Sequence, residues 1–306
     1  MKKSLIALAV AGAMTAPMIA QADATLYGSM RVKIIDADVP GATMDFQDNS
    51  SRIGLRGKQE TGIEGVSATY RFEQAVSTDT GGWAGTGRLA YVGLNTDSGN
   101  FNFGRQWTPA YLMVASLVDI LDHNSNPTHD YTNEGRQSNV VSYTSPEFSG
   151  LRVALATAIN NGGANESGTG STDEIDYYNL GVKYSMSGIE LAGSLTSNQN
   201  TDTDVVSFGA AYTMDALYVA FNFVDNENNV AAKETQWELV GSYDLGNIKL
   251  LANYVDFDKQ GNQLAGEAHY KLGKKARAFA NITFQDSDSE AAGRTDSWAV
   301  GYRVDF

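Results

Sequence analysis

The chain has 306 residues with 36 acidic against 22 basic side chains, a formal net charge of −14, no cysteine and a mean hydropathy below zero. The charge excludes nucleic acid as a partner, and the missing cysteine excludes a disulfide framework and thiolate metal sites. Thirty-one glycines and fifteen tyrosines, without helical periodicity or long buried apolar runs, set it apart from a soluble globular chain.

Met1-Lys2-Lys3 opens an uncharged stretch from Ser4 to Met18 that ends in Ala20-Gln21-Ala22 before Asp23. A basic start, a short apolar centre and small residues at the end are the pattern of an export signal. The reading is a signal peptide over 1–22 and a mature, extracytoplasmic chain over 23–306. The apolar stretch is broken by Gly12 and Pro17, which argues against a retained membrane helix.

From Thr25 onward the chain alternates apolar and polar residues in runs of about 8 to 11, the period-two signature of strands. In the first run Leu26, Met30, Val32 and Ile34 share one face, while Tyr27, Ser29, Arg31 and Lys33 share the other. Ile53 and Leu55 then oppose Arg52, Arg56 and Lys58; Phe72 and Tyr70 oppose Arg71 and Glu73. Later, Leu180, Val182 and Tyr184 oppose Asn179 and Lys183, and Trp237, Leu239 and Tyr243 oppose Gln236, Glu238 and Ser242. The last run sets Trp298, Val300, Tyr302, Val304 and Phe306 against Arg303 and Asp305.

Connections alternate in length. Short ones, such as 61–65, 97–99, 146–150, 187–188, 214–215, 244–247 and 273–275, interleave with long ones at 36–49, 77–87, 107–135, 160–176, 198–203, 225–234, 258–262 and 286–296. Seven short and eight long connections join sixteen strands. An antiparallel barrel crossing an outer membrane has this form, with periplasmic turns, extracellular loops, an apolar face toward lipid and a polar face toward the interior. Closure removes the unpaired edges that a bilayer does not tolerate. A soluble sandwich or propeller also alternates, but sixteen such strands would need a second layer to cover their apolar faces. Tyrosines including Tyr27, Tyr70, Tyr143, Tyr212, Tyr243, Tyr254 and Tyr270 are candidates for interfacial girdles. The chain stops on Phe306 after Tyr302 and Val304, which points to a terminal strand that closes the barrel against the first.

Several segments, namely Ser51 to Gly57 (SRIGLRG), Arg88 to Leu94 (RLAYVGL), Phe101 to Gln106 (FNFGRQ), Ser138 to Leu151 (SNVVSYTSPEFSGL) and the closing VGYRVDF from Val300, resemble the general trimeric porins of Gram-negative bacteria, especially the neisserial and proteobacterial branch. The resemblance spans the whole mature chain. It implies an outer-membrane homotrimer, each subunit with its own water-filled channel for ions and small hydrophilic solutes, and a third extracellular loop folded into the lumen. That loop is Trp107 to Gly135, and its apolar stretch from Tyr111 to Leu121 gives an independent reason for it to lie against the wall rather than in water.

Matched to the family's constriction, the wall arginines are Arg52, Arg88 and Arg136 and the loop carboxylates Asp119 and Asp122, with Arg31, Arg56, Arg71, Arg105, Asp130 and Glu134 as secondary candidates. Parity places Arg88 and Arg105 awkwardly: Val92 and Leu94 share the parity of Arg88, and Arg105 shares that of Phe101 and Phe103 and would face lipid unless a bulge or a subunit contact intervened. Opposed charges across a narrow gap create a transverse field that orients dipolar solutes. Basic residues crowd the early strands and acids the loops, so the narrow part is expected to prefer anions. Acidic loops at Asp173, Glu174 and Asp176, at Asp225 and Glu227, and at Asp286, Asp288 and Glu290 offer contacts to lipopolysaccharide through divalent cations.

No enzyme is expected. The chain has only His123, His129 and His269; the spacing of the first two with Asp122 and Asp130 fits no standard metal pattern, His269 falls on the lumen face, and no cofactor motif is present. A plugged structural barrel is disfavoured because sixteen strands enclose more space than side chains fill. The alternative is a substrate-selective channel, whose sign would be an aromatic ladder along the lumen.

Overall fold

The computed structural model describes residues 24–123, 135–159, 175–199, 202–228 and 234–306. The expected signal peptide, His129, Asp130, Glu134, Asp173 and Glu174 lie outside these residues.

The described residues form seventeen strand segments in one closed antiparallel sheet. They are β1 (Thr25–Ala37), β2 (Asp45–Asp48), β3 (Arg52–Glu60), β4 (Val66–Val76), β5 (Trp83–Thr96), β6 (Gly99–Trp107), β7 (Arg136–Thr144), β8 (Leu151–Ile159), β9 (Ile175–Met186), β10 (Ile189–Asn198), β11 (Thr203–Met214), β12 (Leu217–Asn228), β13 (Glu234–Asp244), β14 (Ile248–Asp256), β15 (Asn262–Lys271), β16 (Ala276–Gln285) and β17 (Ser297–Asp305). Segments β2 and β3 both pair with β1, at Val32–Ile35 and Thr25–Ser29 respectively, so they are two halves of one stave and the barrel has sixteen. The break falls at Asn49–Ser51, where Ser50 takes φ 65° and Ser51 returns its hydroxyl to the Arg31 carbonyl at 3.0 Å. The first long connection therefore ends earlier than the alternation implies, because Asp45–Asp48 joins the sheet instead of looping free.

Closure runs through β1 and β17, from Ser29 against Asp305 to Ala37 against Ser297. Phe306 completes the seam: its N–H donates to the Gly28 carbonyl and its carbonyl accepts from the Gly28 N–H, both at 3.1 Å. Its ring lies over Gly28, where a Cβ would sit 2.4 Å from the ring. Leu26, Met30, Leu55, Phe72, Val92, Phe208, Leu239 and Trp298 all stand exposed on the outside, an apolar belt of the kind a bilayer covers. Tyr27 is a correction to the girdle expectation: its hydroxyl lies inside, donating to Glu73 at 3.0 Å and accepting from Arg71 at 2.8 Å.

The core lies between the wall and the third long loop. Met113, Val114, Leu117 and Val118 of that loop pack on Ala154, Ala192, Ala211, Ala220 and Val240 of the wall. Burying four such side chains contributes about 1.5 to 3 kcal/mol each. The wall beneath them is small by necessity, since a Cβ at Gly181 would meet Met113 Cγ at 2.9 Å and one at Gly209 would meet Leu117 Cδ1 at 2.9 Å. Replacing Gly209 with leucine is expected to lift the loop from its seat at a cost of about 1 to 3 kcal/mol for overpacking. Limited proteolysis of the folded barrel checks this: cleavage confined to residues 109–123 in the variant supports the close seat, and equal resistance in variant and parent refutes it.

Candidate functional site

The loop turns into the lumen at a bulge. The register between β6 and β7 shifts between Gly104 and Gln106, and Gly104 takes φ 126° with its α-hydrogen side against the Ala90 carbonyl, which a Cβ would approach to 2.3 Å. The extra residue frees Arg105 from strict alternation. Its Nε donates to the Gly87 carbonyl at 2.7 Å and its Nη1 to Ser138 Oγ at 2.8 Å, so the charge is not presented bare to lipid. A second irregularity, between Glu73 and Gln74 opposite Leu89 and Gly87, acts likewise on Arg88, which reaches inward to Glu73. Alternation is interrupted at Arg88, expected on the lumen face, and at Arg105 for one physical reason, an irregularity in the ladder.

Beyond the bulge, Thr108 caps the short helix Pro109–Met113, accepting from the Tyr111 N–H at 3.2 Å with Pro109 in the first turn. A single 3₁₀ turn, Ala115–Leu117, follows. Backbone groups too few to satisfy one another are tied to the wall: the Ala110 N–H donates to Asn179 Oδ1 at 2.8 Å, and Tyr218 Oη donates to the Leu117 carbonyl at 2.6 Å.

The far end of the loop is held by a buried polar hook. Glu267 on β15 accepts from the Asp122 N–H at 2.6 Å and the His123 N–H at 3.0 Å, while Asn281 donates to it at 3.0 Å and to the His123 carbonyl at 3.3 Å. Asp122 itself takes Arg277 Nε at 2.5 Å and Nη2 at 2.6 Å, and Arg303 Nη1 at 3.1 Å. Asn49 donates to the Asp122 carbonyl at 2.8 Å. Asp122, expected at the constriction, has a side chain only 2% exposed that grips Arg277 and Arg303 of the wall. Burial raises its carboxyl, but the hydrogen bond and charge of Arg277, with Arg303 behind, win and hold it at about 2. His123, pushed down to about 4 by burial and then by Lys33, whose Nζ is 3.3 Å from its Nδ1, is neutral at pH 7.

Asp122, Glu267 and His269 offer ligand atoms within 4.8 Å of one another. The set does not suit a cation, because two guanidiniums already neutralise Asp122 and two backbone N–H groups occupy Glu267.

Acidification has a defined sign here. His123 is depressed below its unfolded value near 6.5, so its contribution to the hook is complete above that value and is lost as pH falls toward 4; the Asp122 contribution is lost only as pH falls from the ordinary aspartate range toward 2. The expected result is an imidazole resonance of His123 titrating near 4, with loop dynamics rising over the same interval; a midpoint near 6.5 would overturn it.

From the helix to the hook the loop carries Tyr111, half-buried, and Asp119, exposed. The Tyr111 ring stacks on Trp107 with centroids 3.8 Å apart, the Arg136 guanidinium lies 4.5 Å from the Trp107 ring centre, and Tyr111 Oη donates to Asp119 at 2.7 Å. On the wall, Arg52 and Arg88 interact repulsively, as do Arg88 and Arg105 with Arg136, and both Arg52 and Arg136 act on Tyr111. Arg31 adds to the same field through Arg52 and Arg303. Glu73, 3% exposed, is set among them, taking Arg88 Nε at 2.6 Å and Arg71 Nη2 at 3.3 Å. The sequence reading missed Glu73, Glu267, Arg277 and Arg303 as organisers, although all four have the parity of the lumen face.

A family model described as Gram-negative porin matches residues 7–290. Over 343 aligned positions the chain is 26% identical to outer membrane protein U of Vibrio parahaemolyticus, and over 354 it is 27% identical to major outer membrane protein P.IB of Neisseria meningitidis, with 100% of each chain covered in both cases. Among solved structures, an anion-selective porin from Comamonas acidovorans superposes with a TM-score of 0.75 at 20% identity, over 92% of this chain and 99% of that one, and the trimer form of OmpT from Vibrio cholerae with 0.70 at 16%, over 92% and 99%. With the sixteen-stave barrel, the outward apolar belt and the tucked loop, these matches place the chain in the Gram-negative porin family, as an outer-membrane channel protein.

Proposed function

We propose that this porin is a passive, general diffusion channel with a preference for small anions, narrowed by the loop and polarised by Arg52, Arg88, Arg105 and Arg136 facing Asp119. The observation that carries this reading is the imbalance at the narrow level: Arg52, Arg88, Arg105 and Arg136 lie in one another's field with Glu73, Asp305 and the exposed loop carboxylate Asp119 as the nearby acids. Fixed charge of one sign in a water-filled constriction concentrates the opposite ion. The naming of one structural neighbour as anion-selective agrees with it.

A homotrimer, export with removal of residues 1–22, and lipopolysaccharide contacts through divalent cations at acidic loops belong to the same reading; the trimer form of a structural neighbour supports the first. Catalysis is not part of it, since His123 lies against Lys33 and His269 against Glu267, leaving neither poised beside a nucleophile. A substrate-selective channel is the competing reading, and a single stacked pair, Trp107 with Tyr111, is the aromatic feature in its favour among the described residues.

The test is single-channel recording in a planar bilayer under a potassium chloride gradient. Current steps in groups of three with a reversal potential on the anion side support the proposal. A cation-side reversal potential rejects the anion preference, and no conductance rejects the open channel.

A further inference from the structure

The wall of the lumen on the periplasmic side of the arginine level carries a second polar recess that the constriction does not use. Register fixes its place: Thr25 lies opposite Arg56, Arg56 opposite Arg71 and Arg71 opposite Tyr91, with Lys58, Thr69, Gly93 and Asn102 forming the next row toward the short turns. The recess has a volume of about 450 Å³. Arg56, Lys58 and Arg71 supply three positive charges, and Thr69, Asn100 and Asn102 supply neutral hydrogen-bonding groups; no carboxylate is among its lining residues.

Two of the cations share one ring: the Arg56 and Arg71 guanidiniums lie 5.3 Å and 5.2 Å from the centre of Tyr27, whose hydroxyl accepts from Arg71 Nε at 2.8 Å. Arg71 is tied on one side to Glu73 at 3.3 Å, the acid one row nearer the constriction. Lys58 pairs with Glu60 at 2.9 Å, but both side chains are more than half exposed, and such a pair contributes little and exchanges readily. Arg56 has no carboxylate partner among the described residues. A spaced fork of guanidinium donors with an ammonium beside it matches the geometry of a small oxyanion bearing two or more charges.

We propose that this recess is a transient binding station for small multivalent oxyanions, of the phosphate or dicarboxylate kind, on the periplasmic side of the constriction. The inference rests on the channel reading and goes beyond it, because a chloride preference needs only fixed charge whereas a station needs a shaped recess with several donors. A multivalent anion would dwell there and obstruct chloride passing behind it.

The test uses the full chain in a planar bilayer, with chloride carrying the current and inorganic phosphate added to one side. The expected result is a saturable reduction of chloride current, stronger from the side nearer the recess. In Arg56→Gln with Lys58→Gln, the half-blocking phosphate concentration should rise about tenfold, the effect of removing two near charges across water. Asn100→Asp, which adds a negative charge without removing either cation, should raise it too. Chloride conductance without phosphate block in the parent protein would overturn the station and leave the channel reading standing, as would block that persists unchanged in both variants; absence of any conductance would overturn both together.

Discussion

Replacing Glu267 with alanine is expected to turn a quiet channel into a flickering one of higher mean conductance. Glu267 is 4% exposed and accepts from two loop N–H groups, Asp122 and His123, and from Asn281. Removing it leaves those donors buried without an acceptor, at about 1 to 3 kcal/mol each, and unbalances the neighbouring Asp122, Arg277 and Arg303 ion pairs. The rest of the loop has independent anchors in Asn179, Tyr218 and the apolar seat, so the helix Pro109–Met113 should stay while the segment around 119–123 detaches. The barrel, whose backbone groups pair from strand to strand, should fold as before. Single-channel noise and the size cutoff for neutral sugars report the change. Current traces and a cutoff identical to the parent protein would show that the hook does not hold the opening.

The barrel was legible because a lipid face and a water face impose period two on every stave, and Leu26, Leu55, Phe72 and Trp298 stand on the outside as alternation requires. The tucked loop was legible as well, since Tyr111 to Leu121 is too apolar for solvent. Three things resisted. The bulges at Gly104 and near Glu73 alter facing by one residue, and a glycine within a strand allows a bulge without fixing one, so Arg88 and Arg105 read ambiguously. Asp45–Asp48 is too short to show the alternation of a full stave, and the chain returns it to β1 through residues 38–44, ahead of the break at Asn49–Ser51. Asp122 and Asp119 are alike as letters three positions apart, and only the wall distinguishes them: Arg277 and Arg303, far away in sequence, hold the first buried, while the second stays exposed.

Neutralising Arg52 and Arg136 together, as Arg52→Gln with Arg136→Gln, is expected to abolish or reverse the anion preference. Each guanidinium contributes about 1 kcal/mol to a monovalent ion passing at about 4 Å through water, so losing both should change the permeability ratio about thirtyfold. Glutamine keeps a planar, hydrogen-bonding end group, although two atoms nearer the backbone than the guanidinium, and the stacked Trp107 and Tyr111 remain to hold Asp119. Asp119→Asn should act in the opposite direction and strengthen the preference. Salt separates this field effect from a change of shape, because the Debye length shrinks from about 10 Å at 0.1 M to about 3 Å at 1 M: the shift in reversal potential should be large in dilute potassium chloride and small in concentrated. A shift that is equal at both salt concentrations would mean the substitutions had reshaped the opening, and no shift in dilute salt would mean that the charges setting selectivity lie elsewhere along the lumen.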